Sequence, residues 1–208
     1  MKGIFYRDWD HDYVGNILQE IFWERLYAPL VEDKKDLVIY DVGANIGLFS
    51  LWMYPFAKEI YAVEPAKMHG ETIQKLVEFN GLTKIKLIPV ALSNKDGEAT
   101  FYHNDNTTMF SLTPGKGEKE TVKTVTIGNL CKDSPHIDIL KVDVEGAEGI
   151  LFSHPSFDEV AQKTDQIIVE YHSWCGITAA LLINTIRDRG YSVKVLPTQA
   201  TVLWFQKL

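Results

Sequence analysis

Cysteine, basic charge and long apolar runs are what this 208-residue chain has least of. Its two cysteines, Cys131 and Cys175, form neither a metal-ligand spacing nor a disulfide framework, which suits a reducing compartment. Acidic residues outnumber basic ones by 28 to 21, a net charge of −7, so nothing draws the chain to phosphate backbones or anionic lipid. Nucleic acid is therefore disfavoured as a partner. No apolar run approaches about 18 residues, and Met1 leads directly into polar sequence. Both features argue against a transmembrane helix or signal peptide and for a cytoplasmic protein without a membrane partner. No Pro/Gly/Ser-rich linker, repeat or low-complexity tract divides the chain, so one domain is expected over residues 1–208. What is present, 46% hydrophobic and 24% charged residues, is the composition of an ordinary globule.

Apolar residues at Val14, Ile17, Leu18, Ile21, Phe22 and Leu26 fall at helical spacing, with Asp12 as N-cap. They predict an N-terminal helical cap within residues 1–35, ahead of a core over residues 36–208. Strands are expected at residues 37–40, 59–63, 85–90, 137–142 and 166–171. Helices alternate with them at 47–54, up to the stop pair Asn80-Gly81, from 146 to 152, and at 176–189. Alternation of this kind implies a parallel sheet with right-handed crossovers. It breaks after Ser93. Residues 98–103 and 120–127, rich in Thr, Val and aromatics, flank a turn-forming stretch at 113–117 and predict an antiparallel hairpin inserted at the domain edge, about residues 98–127. Two last strands, 191–196 and 201–206, flank Pro197 and should pair as a hairpin, placing one antiparallel strand in the sheet. Ligands belong at the carboxyl ends of the first, second, fourth and fifth strands.

The first of those ends is the most informative. Residues 39–47, Ile-Tyr-Asp-Val-Gly-Ala-Asn-Ile-Gly, end a strand on an acid and turn on Gly43 and Gly47. Without Cβ atoms these glycines let the backbone bend and approach a ligand. The helix that follows points its free N–H groups and positive dipole end into the turn, where α/β sheets hold nucleotide-like cofactors. A dinucleotide site would show G-x-G-x-x-G. Here Asn45 occupies the middle glycine position, and Asp41 would repel a diphosphate. An acid there suits a cationic or amino-bearing ligand. Glu64, at the end of the second strand, is placed to accept hydrogen bonds from both ribose hydroxyls. Alone, a glycine turn is a turn and a loop acid is a solvated side chain. Together at this spacing they suit a nucleoside carrying an amino-acid tail, S-adenosylmethionine.

Four stretches then resemble, in order and spacing, the motifs of the FkbM-type methyltransferases. They are Asp-Val-Gly-Ala-Asn-Ile-Gly at 41–47, Tyr-Ala-Val-Glu-Pro at 61–65, Ile-Asp-Ile-Leu-Lys-Val-Asp-Val-Glu-Gly-Ala-Glu at 137–148 and Glu-Tyr-His at 170–172. The resemblance spans nearly the whole chain. It implies an α/β, class I methyltransferase fold: a Rossmann-like, seven-stranded, mostly parallel sheet with helices on both faces. It also implies S-adenosylmethionine as cofactor and, usually, O-methylation of a sugar, glycan or other small hydroxyl-bearing molecule. By the same resemblance Asp41, Gly43, Ala44, Asn45 and Gly47 are expected around the methionine moiety, with Asp143 beside them. Glu64, followed by Pro65, would hold the ribose, and Ala91 and Leu92 would lie near the adenine. One departure is visible: Ile127-Gly128 stands where the family carries Leu-Asp. Any contact made there by an acid is in doubt, but the cofactor site is not.

Methyl transfer from a sulfonium to a hydroxyl is an in-line displacement that needs alignment and a group to take the proton. His172 closes the fifth strand two residues beyond Glu170, opposite Asp143 and Glu145 at the end of the fourth. These four are the expected catalytic residues, with His172 as base or acceptor-orienting group and the acids orienting. The same histidine and carboxylates could instead hold a divalent cation such as magnesium, although a metal-free site is preferred. Glu148 reads as an acid favoured by the helix dipole. The other histidines, His11, His69, His103, His136 and His154, read as surface or structural. Among the aromatics, Tyr13, Phe22, Trp23 and Tyr27 could lid an acceptor pocket; Phe22 reads as core packing, and the choice for Trp23 and Tyr27 is open.

Rival functions are N- or RNA-methylation and a non-catalytic S-adenosylmethionine-binding module. RNA is opposed by the acidic charge and the lack of a basic, aromatic-interleaved stretch. N-methylation is opposed by the lack of an asparagine-proline-proline-aromatic strand end. Retention of both the cofactor corner and the Asp143/His172 end opposes the binding module.

Overall fold

Leu37–Val42 (β1) and Ile137–Val142 (β8) are buried at five of six positions each, as strands covered on both faces must be. The computed structural model describes residues 15, 18–23, 26–103, 110–111, 119–173, 176–194 and 201–208. In it the two strands lie side by side and parallel, in register from Ile39↔Ile139 to Val42↔Val142. Ala57–Val63 (β2) and Ile85–Ile88 (β3) extend the sheet on one side, and Thr164–Glu170 (β9), Val202–Lys207 (β11) and Tyr191–Lys194 (β10) extend it on the other. The order is β10-β11-β9-β8-β1-β2-β3, with β11 antiparallel to both neighbours. The terminal hairpin thus supplies the one reversed strand, as expected.

Because side chains alternate across a strand, successive residues enter opposite cores. Ile39, Ile139 and Ile168 face one side, packed with Leu48–Met53 (α1) and Lys67–Asn80 (α2). Tyr40, Leu140 and Ile167 face the other, under Ile127–Cys131 (α3), Glu148–Ser153 (α4), Phe157–Gln162 (α5) and Ala179–Arg187 (α6). The N-terminal segment joins the first core through Ile21, Leu26, Tyr27 and Leu30. Its described parts are a π-helical turn, Gln19–Trp23, and a 3-10 turn, Ala28–Leu30, in place of one regular helix. Phe22 packs against the core as expected. Asp12, Tyr13 and the side chain of Trp23 lie outside the described residues.

Three expectations need correction. β1 continues through Asp41 to Val42, so the acid sits within the strand. The inserted hairpin exists, with Gly97–His103 (β5) antiparallel to Lys119–Val125 (β7), but it belongs to a separate four-stranded sheet. There Ala91–Leu92 (β4) pairs parallel with β7, and Phe110–Ser111 (β6) flanks β5. Ile127 opens α3 instead of ending a strand, because the Thr126 hydroxyl accepts from Asn129 N and caps a helix. α5 was also unanticipated. The stretch 113–117 and Pro197 lie outside the described residues. No helix among the described residues is long and apolar enough to cross a membrane.

Candidate active site

β1 and β8 end together, and their loops touch. Gly43 has φ 76°, and a Cβ there would lie 1.7 Å from the Asp143 carbonyl oxygen, so only glycine fits. Asp143 N donates to Val42 O at 3.0 Å, while Gly43 N and Ala44 N both donate to Val63 O, at 2.9 and 3.1 Å. The three strand ends are thereby stitched into one rim. Asn45 is left-handed, with φ 51°, a conformation its short amide tolerates. Its N–H donates to Glu64 Oε2 at 2.8 Å, and its own Oδ1 accepts from Ile46 N at 2.8 Å. Glu64 Oε1 accepts from Ala66 N at 2.9 Å. A carboxylate offers about four lone-pair sites, so Glu64 retains acceptor capacity toward the cleft.

Glu64 and Pro65, with Val63, Val90, Ala91, Leu92 and Phe101, wall a first cavity of about 580 Å³. The ribose and adenine residues expected from the sequence are therefore together on one wall. A second, open cavity of about 900 Å³ is lined by Tyr27, Phe49, Lys141, Glu170 and His172. Gly43, Asn45, Asp143 and Glu145 line both. Ala44 lines the second.

Two predicted cofactor residues are elsewhere. Asp41 is fully buried and lines neither cavity; its Oδ2 accepts from the Ser50 hydroxyl at 2.7 Å, and Oδ1 is 3.4 Å from Lys141 Nζ. Burial pushes its carboxyl up against the opposing pull of Lys141 and Ser50. Its charge is answered by the Lys141 ammonium. Gly47 also lies off both cavities: its left-handed turn opens α1, and a Cβ there would meet Ile73 of α2 at 3.2 Å.

Lys141 was not foreseen as part of the site. Its ammonium lies 3.4 Å from Asp41 and Asp143 and 3.3 Å from Gly43 O, joining both loops. Burial opposes its charge, but Asp143 and Asp41 outweigh burial and raise it. A lysine between Leu140 and Val142 in a buried central strand was the available signal, since such a charge must be paired.

The expected catalytic residues do converge. His172 Nε2 lies 3.4 Å from Glu145 Oε2, and Nδ1 bonds Glu148 Oε1 at 2.8 Å. Glu148 therefore does more than favour a helix end: it is fully buried, accepts from Gly146 N at 3.2 Å and orients the imidazole. Burial alone would lower His172, yet the Glu148 bond and the Glu145 charge carry it up to about 9. Burial, then Asp143, raises Glu145 to about 7, with His172 partly opposing. Glu145 is also left-handed, at φ 52°. Ligand atoms of Asp143, Glu145 and His172 all lie within 4.8 Å of one another.

His69, read as surface or structural, is 2% exposed, lines the first cavity and stands 3.3 Å from Glu64 Oε1. Its spacing to Ile73 and Leu76 on one helix face was the missed signal. Tyr27 is buried edge-to-face against Phe49, with centroids 4.8 Å apart, on the wall of the second cavity. His154 bonds Ser156 and is structural, as expected.

A seven-stranded sheet with one reversed strand, helices on both faces and a cleft across the ends of β1, β2, β8 and β9 is the class I methyltransferase fold. The crystal structure of a methyltransferase FkbM from Methylobacillus flagellatus KT shares it with a TM-score of 0.59 at 14% identity, over 82% of this chain and 43% of that one. Residues 41–193 match the methyltransferase FkbM domain, and the chain belongs to that family. Methyltransferase 1 of Beauveria bassiana is 29% identical over 210 residues, covering 86% of this chain and 81% of the relative. The hexuronic acid methyltransferase AglP of Haloferax volcanii is 30% identical over 151 residues, covering 69% of this chain and 59% of its own length.

Proposed function

We propose that this methyltransferase uses S-adenosylmethionine to O-methylate a hydroxyl of a sugar, glycan or other small molecule. The observation that carries the reading is the junction of two cavities on Gly43, Asn45, Asp143 and Glu145. The first cavity suits adenosine: Val63, Val90, Ala91, Leu92 and Phe101 offer apolar faces to a base, and Glu64 offers a carboxylate to ribose hydroxyls. The shared residues suit the amino-acid tail, leaving the second cavity to the acceptor. When bound, S-adenosylmethionine would supply an electrophilic methyl group whose bonding pair is left on sulfur as the acceptor oxygen bonds the carbon.

The chain's own residues align the acceptor and take its proton. Asp143, Glu145 and His172 gather at the junction, Glu170 stands on the same wall, and Glu148 fixes the imidazole from behind. Restricting a hydroxyl to such a cluster supplies both orientation and proton removal. Tyr27 and Phe49 give that cavity aromatic surface, which suits the apolar faces of a sugar ring. AglP, a relative named for a hexuronic acid, lends further support to a saccharide acceptor.

The test is an acceptor screen with methyl-labelled S-adenosylmethionine over saccharides, glycolipids and polyketide-like alcohols, with amines and RNA as parallel arms. Label on a hydroxyl oxygen is the expected result. Transfer to RNA or nitrogen, or cofactor binding without turnover on any acceptor, would overturn the reading.

A further inference from the structure

We infer that Asp143, Glu145 and His172 bind one hard divalent cation, of magnesium or manganese type, on the acceptor side of the cleft. This rests on the second cavity being that side. One ligand atom from each residue lies within 4.8 Å of the others, so small side-chain rotations bring all three onto an ion with bonds of about 2.1 Å. Three details single this cluster out from an ordinary group of acids.

First, Glu145 Oε2 is buried with no hydrogen-bond partner among the described residues, although His172 Nε2 stands only 3.4 Å away. The two atoms are close without pointing at each other, and both border a common space. Second, His172 is held through Nδ1 by Glu148 at 2.8 Å, the carboxylate–histidine pairing that orients imidazoles toward metals. The Glu148 bond keeps a proton on Nδ1, so a cation that displaces the proton on Nε2 would meet that nitrogen's lone pair. Third, the local cation is already committed. Lys141 lies against Asp41, Gly43 O and Asp143 Oδ2, which leaves Asp143 Oδ1 for another ligand.

Two carboxylates and one imidazole, completed by water and the substrate oxygen, form an oxygen-rich set that suits magnesium or manganese. A cation there would acidify the acceptor hydroxyl it binds. Glu170, on the same wall, would take the released proton, and the oxygen's electron pair would form the new bond to the methyl carbon as its bond to sulfur breaks. The sequence alone preferred a metal-free site, because spacing cannot show three side chains meeting at one point.

Manganese binding, read by loss of the free-ion electron paramagnetic resonance signal, tests this without turnover. One ion per chain is expected, displaced by magnesium. Glu145→Gln and Asp143→Asn should each weaken binding at least about tenfold. His136→Ala should not change it, although His136, Asp138 and Asp165 form the other such cluster among the described residues. An unchanged circular dichroism spectrum and a cooperative melt would show that the Glu145 and Asp143 variants are folded. A free-ion signal untouched by excess protein overturns the inference, as does binding lost in His136→Ala and kept in Glu145→Gln. Chelation supplies a separate reading: transfer should fall at least about tenfold and return with magnesium. If manganese binds but no hydroxyl is ever methylated, the proposed reaction fails and the cation site stands.

Discussion

The loops after β1 and β8 leave the sheet side by side with similar backbones and different chemistry. Each pairs a glycine at positive φ with a left-handed polar residue: Gly43 with Asn45 at 51°, and Gly146 with Glu145 at 52°. In the first loop the hydrogen bonds close. Gly43 N, Ala44 N and Asn45 N all have acceptors at the end of β2, and the Asn45 amide bonds Ile46 N. In the second, Glu145 carries a long side chain ill suited to the left-handed region. One of its oxygens is buried with no hydrogen-bond partner among the described residues, close to Asp143 and His172. Left-handed non-glycine residues cost about 1–3 kcal/mol and persist where the surroundings enforce them, often at active sites. The contrast teaches which loop does what. The β1 loop is finished as a scaffold, whereas the β8 loop keeps crowded charge available for a ligand or a proton.

Driving the loops apart tests the comparison most harshly. Gly43→Ala puts a Cβ 1.7 Å from the Asp143 carbonyl and should cost about 3 kcal/mol or more in denaturant unfolding, with cofactor binding lost. A variant that keeps both within about 1 kcal/mol would mean the loops do not touch in solution. The next effect belongs to the acceptor side. His172→Ala should lower kcat about 10²- to 10⁴-fold while the S-adenosylmethionine Kd stays within about threefold. Steady-state kinetics with calorimetry read both, and unchanged turnover would remove His172 from the reaction. Glu64→Gln should do the converse, raising the cofactor Kd about tenfold through weakened charge-assisted bonds, with kcat at saturating cofactor nearly constant. If both variants move the same parameter, the division between the cavities is wrong. The smallest effect concerns strain. Asn45→Ala should cost about 1 kcal/mol, since alanine tolerates the left-handed region poorly. Glu145→Gly, melted in the presence of chelator, should be neutral or stabilising by up to about 1 kcal/mol while transfer is lost. Equal destabilisation by the two would make Glu145 a structural residue.

Much of the fold was legible because its causes are local. Four aliphatic residues among six marked β8 at 137–142, and the Asn80-Gly81 pair marked the end of α2, where Gly81 has φ 65°. The second sheet was not legible. Thr and Val favour strands wherever they occur, and only contacts decide which strands they join. Ile127 read as strand for the same reason, until the Thr126 cap made it helix. The site divides similarly. Gly43, Ala44, Asn45, Glu64, Pro65, Ala91, Leu92 and Asp143 all line the cleft where the sequence placed them. Asp41 and Gly47 do not, because a motif identifies the residues of a turn without saying which side each presents. His69 and Glu148 were passed over, since their partners come from other elements.

The sequence alone determined the alternating α/β order, the glycine turn with its acid at the end of the second strand, and the family, because each is written in short-range spacing and residue type. Only the tertiary structure decided that Asp41 is buried against Lys141, that Glu148 holds His172, and that ligand atoms of Asp143, Glu145 and His172 come within 4.8 Å of one another. The reason is physical. Burial, the facing of side chains and the pairing of charges are properties of the space between elements, and the chain's local pattern does not contain that space.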